Sequence, residues 1–197
     1  MRKEKESGPE RQSLRFAFLT DLHSVCIGEE NLALLAAVRE AEPDVVLCGG
    51  DMIVGKPGQT PGTALELLRR IAEEYPVIHA LGNHEYRARI YPEIYGNLYR
   101  EYLEGLLRCG VTVLDNQTSI RNLRGRRIAV YGLSIPREYY RRFEHQKLPV
   151  QVLRELLGSP DPECFSILLA HNPEHMETYF SWGADLTLCG HYHGGIL

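Results

Sequence analysis

Short apolar runs alternate with longer amphipathic segments along most of the chain. Leu14–Thr20 (LRFAFLT) predicts a strand. Asp44–Cys48 is apolar and β-branched without polar alternation, which predicts a buried strand, and Val77–Leu81 predicts a third. Between them, Asn31–Ala41 and Thr63–Glu74 predict helices, the second with Leu65, Leu68 and Ile71/Ala72 on one face. Pro92–Arg108 predicts a third helix, with Ile94, Leu98, Tyr102/Leu103 and Leu106 at helical spacing. The rhythm then changes. Val111–Leu114, Ser119–Leu123 and Arg127–Leu133 are strand-like runs in close succession, and Arg124-Gly125-Arg126 predicts a hairpin turn. Val150–Leu157 predicts a helix. Phe165–Ala170 and Ala184–Cys189 predict two more buried strands, with a short helix near Pro173–Phe180 between them. The first half therefore predicts βαβαβ with a parallel sheet, and the second adds antiparallel strands.

The polar residues that directly follow the buried strands form a second pattern. They are Asp21-Leu22-His23, Gly49-Gly50-Asp51, Gly82-Asn83-His84-Glu85, His171-Asn172 and Gly190-His191-Tyr192-His193. Each group sits at the C-terminal end of an apolar run, the edge where open α/β sheets bind ligands. Five such loops in register point to one site.

Asp and His with one Asn suit borderline divalent metals such as Mn, Fe or Zn. No cysteine stands among them, which argues against a closed structural zinc site. Asp21/His23 and His191/His193 have period-2 spacing, so each pair is expected to leave one extended segment toward the same side, with Tyr192 turned away into packing. Two divalent cations would bring four positive charges against two from Asp21 and Asp51. Such a site welcomes a phosphate ester, and two metals ~3.5–4 Å apart can both activate water and hold phosphoryl oxygens. The glycines beside the candidate ligands, including Gly194-Gly195, permit tight turns and close backbone approach.

Composition narrows the setting. The 197 residues are 44% hydrophobic and 24% charged, ordinary for a globular domain. The net charge of −4 argues against a nucleic-acid partner and leaves a small phosphorylated substrate open. No apolar run approaches a membrane span, which still allows contact with a membrane surface. The N-terminus lacks the apolar core of a signal peptide. Five scattered cysteines without a C-x-x-C pair predict free thiols. A cytoplasmic location follows. Residues 1–13 are expected to be disordered and residues 14–197 to form one domain.

The five blocks, in this order, resemble the calcineurin-like metallophosphoesterases, whose pattern is D-x-H, G-D, G-N-H-[DE], H and G-H-x-H. The resemblance covers residues 21–193, and the run SILLAHNPE (166–174) is most similar to the bacterial YkuE-like branch. It implies an α/β fold of two mixed β-sheets packed as a sandwich between helices. It implies two divalent cations, one on Asp21, His23 and His193, the other on Asn83, His171 and His191, with Asp51 bridging. His84 would face the leaving-group oxygen as acid or transition-state stabiliser. Family members continue past G-H-x-H-G-G with further strands, so the C-terminal strands are expected to be missing here. The implied reaction is hydrolysis of a phosphodiester or pyrophosphate of a small or lipid-linked substrate in preference to a monoester.

The alternative function is a scaffold that keeps the fold without catalysis. Such a chain would have lost ligands or His84, and all are present. His79, His145 and His175 are expected to be structural or surface residues, and Glu85 to orient the site rather than ligate. Asp44 and Asp185 lie at the wrong strand ends. The aromatic-basic stretches Tyr86–Tyr102 and Arg137–Arg142 either pack amphipathic helices or grip the substrate.

Overall fold

Strands buried on both faces account for the continuous apolar runs. Residues 13–140 and 146–193 are described by the computed structural model. The expectations for residues 1–12, Arg141, Arg142, His145 and Gly194-Gly195 lie outside them. β1 (Phe16–Leu19), β2 (Val45–Cys48), β3 (Val77–Ala80) and β4 (Thr112–Leu114) form one sheet in that order. All three pairings are parallel. β5 (Gln117–Leu123), β6 (Arg126–Leu133), β7 (Phe165–Ala170) and β8 (Leu186–Leu188) form the second, antiparallel at β5–β6 and parallel beyond.

Alternation along each strand divides its residues between two cores. Val45 and Leu47, Ile78 and Ala80, Ile128 and Val130, and Ile167 and Leu169 meet between the sheets. Val46 and Cys48 face outward onto α1 (Leu32–Ala41), α2 (Gly62–Ala72) and α5 (Leu98–Arg108), packing with Leu35, Leu68, Tyr102 and Leu106. Ala129, Tyr131 and Leu168 face the other way, onto α6 (Val150–Leu157) and α7 (Met176–Trp182) through Leu153, Tyr179 and Trp182. The result is the expected sandwich of two sheets between helices. Only the second sheet is mixed among the described strands. The strand expected at Val111–Leu114 joins the first sheet's edge, not the later antiparallel group.

Two helix boundaries differ from the periodic pattern. The segment expected as one helix over Pro92–Arg108 is broken into α4 (Pro92–Tyr95) and α5, because Gly96 takes a positive φ of 62° that a continuous helix cannot hold. Ile94 consequently lies exposed while Leu98, Tyr102 and Leu106 are buried. α3 (Asn83–Ile90) starts inside the G-N-H-E block. Its signal was present in the sequence: Glu85 is the third helical residue, and its carboxylate accepts the Gly82 N–H at 3.0 Å. The β5–β6 turn is as expected, with Arg124 and Gly125 both at positive φ, the geometry that suits a two-residue hairpin.

Candidate metal centre

The C-terminal ends of both sheets meet at one place. Loops after β1, β2 and β3 bring Asp21, His23, Asp51, Asn83 and His84; loops after β7 and β8 bring His171, His191 and His193. Asp21, His23 and His193 form one converging group, and Asp51, His171 and His191 another. His23 Nε2 lies 3.0 Å from His193 Nε2 and 3.7 Å from an Asp21 oxygen. His171 Nε2 lies 3.0 Å from Asp51 Oδ2, and that same oxygen is 3.9 Å from His23 Nε2. Asp51 thus stands between the groups.

The local geometry differs from a pleated strand. Asp21, His23, Asp51, His191 and His193 all have positive φ, between 49° and 74°. These donors converge because the backbone turns left-handed just past the sheet edge, not because alternate residues share one face of an extended segment. Strain of this kind costs energy and persists where surrounding contacts impose it. Those contacts are visible. Asp21 accepts the His191 N–H on both oxygens, at 3.0 and 2.9 Å, and the Thr20 hydroxyl at 2.8 Å. Asp51 accepts the His84 N–H at 2.7 Å. Glu85, fully buried, accepts N–H bonds from Asp51, Met52, Ile53 and Gly82 at 2.8 to 3.1 Å. It orients the Asp51 loop, as expected. Two glycines are sterically required: a Cβ on Gly82 would collide with Asp51, and one on Gly190 with Thr20 and Asp21.

Hydrogen bonds also fix the imidazole tautomers. His171 Nδ1–H donates to the Gly49 carbonyl at 2.7 Å, which directs Nε2 at the acidic pair. His84 Nδ1 accepts the Gly55 N–H at 2.8 Å, so its proton resides on Nε2, 4.0 Å from Asp51 Oδ2. That nitrogen is a donor, unsuited to ligating. Burial, with help from the Arg87 charge, lowers His84 to about 4, so it is neutral at pH 7. Burial alone would raise Asp21; bonds from His23 and Thr20 and the His171 charge instead bring it down to about 2. Burial would lower His171, but Asp51 and Asp21 raise it to about 9.

Asn83 Oδ1, buried at this centre, has no hydrogen-bond partner, which is costly and uncommon. His171 Nε2 lies 3.0 Å from Asp51 Oδ2 and 3.8 Å from an Asp21 oxygen, where a divalent cation would take the place of its proton. Carboxylates, imidazoles and an amide oxygen together are the donor chemistry of a divalent-cation site, so the residues fit the expected metals.

The family profile described as calcineurin-like phosphoesterase matches residues 14–195. The chain belongs to that family. Among curated phosphoesterases, it is 28% identical over 190 residues to the putative metallophosphoesterase F40B5.2 of Caenorhabditis elegans, covering 93% of this chain and 37% of the relative. It is 28% identical over 185 residues to the phosphodiesterase YaeI of Escherichia coli, covering 93% and 62%. The chain thus spans less than two thirds of either relative. The fold is similar to that of phosphopantetheinyl hydrolase from Mycobacterium tuberculosis, with TM-score 0.56 at 16% identity, covering 91% of this chain and 83% of that one. The family's description names phosphoesterases.

Two cavities open on this centre. One, of about 720 Å³, touches Asp21, His23, His84 and His193 and is otherwise largely apolar, with Val25, Ile27, Leu34 and Val54 and the rim cation Lys56. The other, of about 690 Å³, touches Asn83, His191 and His193 and carries Tyr86, Arg87, Arg137 and Tyr140. Tyr192, expected to turn away into packing, lines this second cavity; the left-handed backbone around it removes the strand alternation behind that expectation. The other described histidines are structural, as expected: His79 is buried against the Tyr102 hydroxyl at 2.8 Å, and His175 Nε2 lies 3.0 Å from the Tyr139 carbonyl. Asp44 and Asp185 cap backbone N–H groups of Arg15 and Ser166. Of the five free cysteines, Cys26 is exposed, unlike the buried Cys48 and Cys164. Among the described residues no helix is long and apolar enough to cross a membrane.

Proposed function

We propose that this chain hydrolyses phosphodiester bonds, of a small or lipid-linked substrate, with two divalent cations. Asp21, His23 and His193 would hold one cation, Asn83, His171 and His191 the other, and Asp51 both. The carrying observation is the convergence of Asp21, His23 and His193 and of Asp51, His171 and His191 into two adjoining donor groups at one sheet edge. When bound, the cations supply an activated water and neutralise charge on the phosphoryl oxygens. The protein's own part is positional. His84 presents Nε2–H from a neutral ring and donates to the leaving or phosphoryl oxygen, stabilising charge as it develops. Asp21 and Glu85 hold the loops that carry the ligands.

Preference for a diester is supported by a cavity on each side of the centre, one for each organic arm. The name of the Escherichia coli relative, a phosphodiesterase, points the same way. Placement in the bacterial YkuE-like branch rests on SILLAHNPE, and a cytoplasmic location on the free thiols. Manganese is the first metal to try, since the donors are hard to borderline.

The test is hydrolysis of p-nitrophenyl phosphate and bis-p-nitrophenyl phosphate with Mn²⁺, before and after chelation. The diester should be cleaved faster, and only with metal. His84→Ala should lower kcat by about 10²–10³ without loss of bound metal. No metal-dependent cleavage of either ester by folded protein overturns the proposal; cleavage of the monoester alone overturns the diester preference.

A further inference from the structure

Arg87 has the surroundings of a ligand-binding arginine. Many of the described arginines meet a carboxylate, among them Arg39 with Glu74, Arg69 with Glu66, Arg124 with Asp44 and Arg127 with Glu163. Arg89, two residues on in the same helix, pairs with Asp115 and stacks over the Tyr86 ring at 5.0 Å. Arg100, Arg126 and Arg154 form no ion pair among the described residues, but they are exposed. Arg87 is half-buried, its Nε is fully buried, and it donates to no group among the described residues. A guanidinium removed from water without an acceptor is destabilising unless an anion completes it.

Its position says where that anion belongs. Asn83 and Arg87 are four residues apart on α3, hence on one face, and both line the second cavity. Arg137 lines the cavity too, held by the Tyr91 hydroxyl and stacked over the Tyr91 ring at 5.1 Å. Stacking fixes the plane of the fork and leaves further N–H donors for a ligand. The one carboxylate lining this cavity among the described residues, Glu174, accepts the Tyr192 hydroxyl at 3.3 Å. The other cavity has a single lysine and apolar walls. The two sides of the centre therefore differ in charge.

We propose that Arg87 and Arg137 form a subsite for a second anionic group on the substrate, carried on the arm that lies beyond Asn83 and His191. The proposal rests on the phosphoester reading, because it takes the scissile phosphoryl group to be held at the centre itself. Planar guanidinium forks suit a phosphoryl or a carboxylate group equally.

Calorimetric titration of the Mn²⁺-loaded protein at fixed free metal tests this, with each probe recovered and checked for hydrolysis at the end. The probes are inorganic phosphate, pyrophosphate and phosphonoacetate. Pyrophosphate should bind at least about tenfold tighter than phosphate, as charge-assisted bonds of this type allow. A matching gain for phosphonoacetate identifies a subsite that takes either anion; a gain for pyrophosphate alone identifies a phosphoryl subsite. Arg87→Gln should erase the gain and leave phosphate binding within about threefold, whereas Arg87→Lys should keep part of it. Should Arg87→Gln not fold, Arg137→Gln gives the same reading from the other element. Equal binding of all three probes overturns the proposal. So does an equal loss for phosphate and pyrophosphate in Arg87→Gln, which would place the arginine on the scissile group. If neither nitrophenyl ester is hydrolysed while the Arg87-dependent gain persists, the subsite stands and the hydrolase reading falls.

Discussion

The two ligand groups of the centre differ in burial. In the Asp21–His23–His193 group, side-chain exposure rises from 5% at Asp21 through 17% at His23 to 57% at His193. In the Asp51–His171–His191 group, Asp51 is 2% exposed and His171 not at all, His191 is half-buried, and the neighbouring Asn83 Oδ1 lacks any partner. The first group can relax its imidazoles into water when no cation is bound. In the second, Asp51 and His171 cannot. A cation on the buried group would relieve the orphaned oxygen as well as charge, so that group should bind first and hold longer.

The largest effect should come from the residue the groups share. Asp51→Ala should cut kcat/KM by more than about 10³, because it removes charge stabilisation at both positions. Metal analysis should then find both cations reduced. Full retention of one would mean that Asp51 serves a single group. Breaking one group at a time comes next. His171→Ala should weaken the tighter cation by about a hundredfold or more, since even outer-shell losses cost 10–100-fold. His193→Ala should empty only the weaker, exposed position. Stepwise Mn²⁺ titration followed by calorimetry reads the two steps, and an identical pattern in both variants would erase the difference between the groups.

A buried histidine outside the centre separates burial from the effect of carboxylates. His79 and His171 are both essentially inaccessible. Burial lowers His79 to about 4, while Asp51 and Asp21 carry His171 up to about 9. An unfolded histidine titrates near 6.5. His79, with the lower folded value, contributes stability that is present above pH 6.5 and lost as pH falls toward 4. At pH 5 the loss is about 2 kcal/mol. His171, with the higher folded value, does the reverse in chelated protein: its contribution is present below pH 6.5 and lost as pH rises through 9. Urea denaturation of chelated wild type and of His79→Leu from pH 4 to 9 should show the acid loss reduced in the variant. Addition of Mn²⁺ should abolish the alkaline slope, since the cation replaces the proton on His171.

The sequence revealed the residues of this centre more fully than their geometry. Spacing and strand ends singled out the candidate ligands and His84 that the fold brings to one place, because Asp, His and Asn clustered at strand termini are chemically conspicuous. The left-handed backbone at Asp21, His23 and His191 was not legible, because it is imposed by contacts across loops up to 170 residues apart, such as His191 N–H to Asp21. The resemblance implied two packed sheets, but the pattern of apolar runs did not show which strand joins which sheet. Val111–Leu114 reads as one of three successive strands, and only packing assigns it to the first sheet. Arg87 lay in a stretch that could either pack a helix or grip the substrate, and spacing alone does not show that Arg137, fifty residues later, lines the same cavity.

The smallest effect tests whether the buried group is stiff because of its ligands or because of its support. Glu85 accepts four backbone N–H bonds, three of them from the loop of Asp51. Burial and the neighbouring Asp51 charge push its carboxyl up to about 7, even though those bonds favour the anion. Glutamine has nearly the same shape but presents one oxygen and one NH₂. In Glu85→Gln the amide nitrogen must face N–H donors that had an acceptor. The expected cost is about 1–2 kcal/mol in urea denaturation of the chelated protein. Loosening the Asp51 loop should also weaken the buried cation by about tenfold, with the exposed position following less, because Asp21 is held independently by Thr20 and the His191 N–H. If Glu85→Gln leaves both cation affinities unchanged, the Asp51 loop keeps its position without this brace. The difference between the two groups would then arise from burial of the ligands alone.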